Sequence, residues 1–212
     1  MLDFNKDRQR MIERQLARRG LRNAEVLRAM EEVPREVFVP EALQAYAYRD
    51  TPLPIDAGQT ISQPYVVAFM IDVAAVAAGD RVLEVGAGSG YAAGVLSRIA
   101  AHVYAIERHP ELAIVAAERL RRLGYHNVEV HTGDGARGLV EAAPFDAIIV
   151  SASGEAIPQA LREQLEIGGM LVMPVGSLGE QRLIKVHRSS ADSYEEQALG
   201  AVSFVPLITG ES

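Results

Sequence analysis

The chain of 212 residues has no cysteine, which excludes disulfides, thiolate nucleophiles and cysteine-ligated metals. That agrees with a reducing compartment, and a cytoplasmic location is expected. A long apolar run is missing too. The longest, Tyr65 to Ala78, is too short to span a bilayer and is split by Asp72, so no membrane partner is expected. The opening stretch MLDFNKDRQRMIERQ alternates charged with apolar residues and lacks the apolar core of a secretory signal. Clustered positive charge is also scarce. The formal charge is −7, the pI is near 5.3, and the cluster Arg119, Arg121 and Arg122 in one predicted helix reads as a solvated face. Nucleic acid is therefore excluded as the expected partner. The five histidines, at 102, 109, 126, 131 and 187, show no metal or triad spacing, so a structural or surface role is expected for each and no metal site is assigned. Neither internal repeats nor low-complexity segments occur.

What is present is enough apolar material for one core. Hydrophobic residues make up 49% of the chain, and the length favours a single domain over 1–212 that folds alone and acts as a monomer. Two textures divide it. Residues 1–78 carry a helical pattern: Met11, Ile12, Gln15 and Leu16 first, then NAEVLRAMEEVP, capped by Asn23 and stopped before Pro34. From 79 to 212, short β-branched runs alternate with helical ones: RVLEVG, YAAGVLSRIA, HVYAIE, ELAIVAAERLRRLG, NVEVH, FDAIIVS, AIPQALREQL and GGMLVMPV. This alternation predicts an α/β fold with a mostly parallel, doubly wound sheet covered on both faces. QRLIKVHRS and EEQALGAVSFVPL add two strands with no long helix between them, an antiparallel C-terminal edge.

Ligands of such sheets sit at the carboxyl ends of the strands, near the point where strand order reverses. The first strand ends in EVGAGSGY, where Gly86, Gly88 and Gly90 allow a tight turn and a close backbone approach before a helix. A dinucleotide fingerprint needs glycine or alanine where Tyr91 stands. The spacing acidic-x-Gly-x-Gly-x-Gly, starting at Glu84, instead resembles the first motif of class I S-adenosylmethionine-dependent methyltransferases. The next strand ends at Glu107, placed to accept from both ribose hydroxyls. After the third comes TGDG, with Asp134 set to accept from an adenine amino group and Gly135 allowing close approach; an ordinary Asp-Gly turn is the bland alternative.

Taken together, PREVFVP, PLPI, GQTISQPY, VLEVGAGSGY, VYAIER, GDG, PFDAIIV, GGMLVMPVG and FVPL resemble the protein-L-isoaspartate O-methyltransferase family over residues 9 to about 207. The resemblance implies a class I, Rossmann-like fold with an N-terminal helical extension, and S-adenosylmethionine as cofactor. It also implies methyl transfer to the α-carboxylate of isoaspartyl residues in damaged proteins and peptides, which starts their repair. It places Ser62 at the reacting carboxylate, with Thr60 and Ile61 beside it and Val175 at the substrate edge. The cofactor positions fall on Glu84, Gly86, Gly88, Ser89, Gly90, Glu107, Asp134, Gly135 and Ser151. Where the family usually has Thr-Ala-Ala, this chain has Ser151-Ala152-Ser153-Gly154.

The chemistry suits this inventory. A carboxylate is already ionised near neutral pH and attacks a sulfonium methyl without a general base. Alignment and exclusion of water remain as the enzyme's work. Ser62 has two readings: the N-cap of a helix with Pro64 in its first turn, or a hydroxyl that orients the nucleophile. Rival functions are a nicotinamide oxidoreductase, a serine hydrolase, which would need the Gly-x-Ser-x-Gly elbow that is absent around Ser89, and a binding module without catalysis. Another carboxyl or small-molecule methyltransferase is the alternative within the class.

Overall fold

A computed structural model describes residues 3–210. Helix α1 (Phe4–Met11) starts at Asp3, whose side chain accepts from the Lys6 N–H at 3.1 Å. It continues through a π-helical turn, Ile12–Leu16, and a 3-10 turn, Ala17–Arg19. Helix α2 (Ala24–Glu32) begins where the sequence indicates: the Asn23 side chain accepts from the N–H groups of Glu25 and Val26, and Val26, Ala29 and Met30 form its buried stripe. Val33, held extended ahead of Pro34, ends it.

The stretch read as helices and loops also holds a small antiparallel hairpin, β1 (Leu53–Pro54) with β2 (Thr60–Ile61). Its strands are too short for a period-2 signal. Helix α3 (Pro64–Val73) follows, and here the capping expectation is corrected. Gln63, not Ser62, is the last non-helical residue, because a residue before proline is held extended and Pro64 takes the first helical position. Gln63 makes no side-chain cap; Asp50 Oδ1 instead accepts from the Tyr65 N–H at 3.2 Å.

Strand β3 (Arg81–Val85), α4 (Tyr91–Leu96), β4 (His102–Glu107), α5 (Pro110–Arg122) and β5 (Val128–Thr132) form successive right-handed units. Then come β6 (Phe145–Val150), the single-turn α6 (Gln159–Glu163), and the long strands β7 (Leu165–Val175), β8 (Arg182–Ser190) and β9 (Ser193–Ala201). The seven-stranded sheet has the order β5-β4-β3-β6-β7-β8-β9. Pairing is parallel from β5 to β7 and antiparallel from β7 to β9, the expected mixed edge. Order reverses between β3 and β6, so their carboxyl ends open a crevice.

The β5–β6 crossover has two 3-10 turns, Gly135–Arg137 and Val140–Ala142, in place of a helix. Gln164 braces it, its Oε1 accepting from the Leu139 N–H and its Nε2 donating to the Arg137 carbonyl, each at 2.8 Å. Alternation along the strands supplies both faces. Val82, Val103, Ala147 and Ile149 pack in one cluster with Met11, Leu16, Val26 and Met30, while Leu83, Val85, Ile148 and Val150 pack in another with Ile106, Leu171 and Met173. Each buried Val, Leu, Ile or Met among these contributes about 1.5–3 kcal/mol, so the helical N-terminal part is fixed to the sheet by shared core. Among the described residues, no helix is long and apolar enough to cross a membrane.

Candidate active site

The glycine loop after β3 builds the floor. Gly86, Gly88 and Gly90 have φ of 89°, 53° and 87°, the left-handed region that side chains resist. The Gly86 and Ala87 N–H groups donate to the Ile106 carbonyl at 2.8 and 3.1 Å, locking the loop onto β4. Gly88 N–H donates to Glu107 Oε2 at 2.7 Å, and His109 N–H donates to Glu107 Oε1 at 2.9 Å. From the far side, Arg119 Nη1 donates to the Ser89 carbonyl at 2.6 Å. The hairpin tip lies above: a Cβ on Gly88 would come within 3.4 Å of Ile55 Cδ1.

Two buried carboxylates face this loop. Each Glu107 oxygen is engaged by one backbone amide, which leaves lone pairs for further donors. Glu84 is buried, and its Oε2 has no hydrogen-bond partner. Burial, and next the charge of Glu107, push the Glu84 carboxyl well above its ordinary range. A buried acceptor without a donor is costly, and a bound cation would remove that cost.

One cavity at the strand ends brings together Thr60, Ile61, Ser62, Glu84, Gly86, Gly88, Ser89, Glu107, Gly135 and Ser151. Three expected residues lie outside its lining. Gly90 caps α4, and a Cβ there would press on Ala116 and Leu120 of α5 at 3.2 Å, so its smallness serves helix packing. Asp134 accepts from backbone, Oδ1 from Ala136 N–H at 3.0 Å and Oδ2 from Gly210 N–H at 2.9 Å, one donor per oxygen as at Glu107. Val175 pairs with Arg182 of β8 and bridges Gly154. Gly135 reaches the cavity, yet a Cβ on it would strike Val85 Cγ1 at 2.3 Å, so packing alone already demands glycine.

Sequence reasoning missed several lining residues. Arg108 and His109 follow β4, where the strand-end rule applied to its next two positions would have found them. Tyr91 was read only as a departure from a dinucleotide motif. Val205 to Ile208 cross the strand ends because Ser153 N–H donates to the Val205 carbonyl at 2.8 Å and Leu207 N–H donates to the Ser153 carbonyl at 2.7 Å; no local signal reveals that contact.

Ser62 stands at a junction. With Thr60 it lines both this cavity and a second one formed by Arg19, Tyr65, Val66, Phe69 and the segment 199–204. Tyr65 and Phe69 stack there at 5.7 Å, and the Arg19 guanidinium lies 3.4 Å from the Tyr65 ring centre while pairing with Asp50 at 2.6 Å. The Ser62 carbonyl accepts from Arg35 at 2.8 Å, whereas no hydrogen bond engages its hydroxyl among the described residues.

A mostly parallel sheet with an antiparallel end, a glycine loop at its switch point and acidic strand ends define a class I, Rossmann-like methyltransferase dependent on S-adenosylmethionine. A family model described as protein-L-isoaspartate(D-aspartate) O-methyltransferase matches residues 6–212. The protein-L-isoaspartate O-methyltransferase of Methylorubrum extorquens (strain PA1) is 57% identical over 203 residues, 96% of this chain and 89% of that protein. Protein-L-isoaspartate O-methyltransferase 2 of Pelobacter propionicus is 53% identical, covering 96% and 91%. A crystal structure from Plasmodium falciparum, described as a protein-L-isoaspartate O-methyltransferase in complex with S-adenosyl-L-homocysteine, superposes with a TM-score of 0.83 at 25% identity and covers 98% of this chain and 99% of that one. The chain belongs to the protein-L-isoaspartate(D-aspartate) O-methyltransferase family.

Proposed function

We propose that this chain methylates the α-carboxylate of isoaspartyl residues in proteins and peptides at the junction of the two cavities, with Ser62 as the group that meets the nucleophile. The observation that carries the assignment is the position of Thr60 and Ser62, which line both the strand-end cavity and the second one beside it. A donor held in the first and a polypeptide entering through the second would meet at that hydroxyl.

S-adenosylmethionine supplies a methyl group made electrophilic by its sulfonium. The residues present fit it: the orphaned Glu84 oxygen suits the ammonium of the amino-acid end, and the free lone pairs of Glu107 suit the ribose hydroxyls. Gly86, Gly88, Ser89, Gly135 and Ser151 supply the close backbone walls. Asp134 holds the 134–137 turn and the C-terminal segment through one backbone amide on each oxygen, and Arg108 and His109 add polar groups to the cavity lining.

Ser62 Oγ–H donates to one oxygen of the substrate carboxylate, directing the other toward the methyl carbon. No proton has to move, since the nucleophile is ionised already. Ile61, Val67 and Tyr91 wall the cavity against water, and alignment supplies the acceleration. The methyl ester leaves and closes to a succinimide without the enzyme. Labelled S-adenosylmethionine with two peptides, identical except for isoaspartate or aspartate at one position, tests this. Label on the isoaspartyl peptide alone is expected; equal label on both, or none on either, would overturn the assignment.

A further inference from the structure

The PREVFVP stretch is among those that resemble the family, yet none of its residues lines either cavity. Its arginine is fully buried. Arg35 Nε donates to the Ala47 carbonyl at 2.7 Å and Nη2 donates to the Ser62 carbonyl at 2.8 Å, while Nη1 has no partner. The adjacent carboxylate, Glu36, is taken by Arg8 at 3.1 Å. The guanidinium carbon lies 4.7 Å from the ring centre of Tyr91, which lines the strand-end cavity. Burial lowers the Arg35 pKa, with nearby Tyr91 opposing, but an arginine stays charged in a protein.

A core has cheaper ways to join two loops than a guanidinium stripped of water and given no carboxylate. What this one offers is a planar fork whose two donors hold two carbonyls at fixed separation. One of those carbonyls belongs to Ser62. Because its hydroxyl is otherwise unengaged, the direction of Ser62 is set by its backbone, and that backbone is held by Arg35 below and Pro64 after it. Donation to the carbonyl also polarises the Ser62–Gln63 peptide beside the place where a carboxylate would arrive.

We propose that Arg35 is a positioning residue for methyl transfer: it fixes the Ser62 backbone against Ala47 and so aims the Ser62 hydroxyl at the substrate carboxylate. The proposal rests on the assignment of Ser62 given above. It separates Arg35 from a merely structural arginine, because its effect on turnover must pass through the Ser62 side chain.

The test is a double-mutant cycle on the full chain with Arg35→Lys, Ser62→Ala and the pair, measuring kcat and KM for the isoaspartyl peptide and calorimetric affinity for S-adenosyl-L-homocysteine. A lysine ammonium reaches one carbonyl but not both, and it keeps the charge if the fully neutral Arg35→Met fails to fold. Arg35→Lys is expected to lower kcat/KM by roughly 10- to 100-fold, the scale of a small misplacement of a reacting group, with homocysteine-analogue affinity within about threefold of the parent. The double variant is expected to be no slower than Ser62→Ala alone. Additive losses, parental kcat/KM in Arg35→Lys, or a parallel loss of cofactor affinity would each overturn it. A parent enzyme that failed to separate isoaspartyl from aspartyl peptide would instead remove the functional assignment beneath it.

Discussion

Gly88 and Glu107 are joined by a 2.7 Å hydrogen bond from the glycine-loop amide to the carboxylate that ends β4. The glycine loop and the acid proposed to bind the ribose are thus one unit. Replacing Glu107 by Ala should weaken binding of S-adenosyl-L-homocysteine by about 10- to 150-fold, the equivalent of losing about 1.5–3 kcal/mol in a hydrogen bond to a charged group. Calorimetry on the folded variant checks it, and parental affinity would remove Glu107 from the ribose site.

The parts legible in the sequence were those written as periodic runs or as strand ends. Asn23 as a cap, the five parallel strands and the glycine loop that follows β3 all follow from local chemistry. What was not legible depended on contacts distant in sequence. Asp50 caps α3 from fifteen positions upstream of Tyr65, the C-terminal segment reaches the cavity through Ser153, and Gly210 donates to Asp134. The missing β5–β6 helix was foreshadowed by Gly135, Gly138 and Pro144, which break any helical run there.

The corrected cap separates stability from turnover at Ser62. Because its side chain makes no hydrogen bond, Ser62→Ala should leave stability within about 0.5 kcal/mol of the parent while slowing methyl transfer about 10- to 150-fold. Ser62→Asp should also fold and lose more activity, its charge opposing the incoming carboxylate. Asp50→Ala should instead cost about 0.5–2 kcal/mol of stability, since it removes the acceptor for the Tyr65 N–H. Urea denaturation beside peptide turnover distinguishes these outcomes; an Ser62→Asp variant with parental turnover would reduce Ser62 to a bystander.

Gly135 illustrates a glycine required by the core. Gly135→Ala should destabilise the protein by about 1–3 kcal/mol, because the new methyl overlaps Val85 Cγ1. Val85→Ala alone leaves a cavity and is destabilising as well, but the pair should be markedly less harmful than the sum of the two. Thermal denaturation of the four proteins measures the coupling, and strict additivity would show that the overlap is relieved elsewhere.

Glu84 predicts a proton released on cofactor binding. Its folded-state carboxyl lies well above the unfolded value of 4.5, mainly through burial and then through Glu107. A raised carboxyl favours folding while protonated, so its contribution is complete below the unfolded value and is lost as pH rises through the folded one. Bound S-adenosylmethionine would favour the ionised form instead if its ammonium meets Oε2, as proposed above. Below the folded-state pKa of the free enzyme, binding must therefore expel a proton, and affinity should rise with pH across that interval. Calorimetry in buffers of different ionisation enthalpy is expected to show the release. Glu84→Gln should abolish it, raise the Tm of the cofactor-free protein at pH above the folded-state value, and weaken cofactor binding. Unchanged proton release in Glu84→Gln would place the titrating group elsewhere.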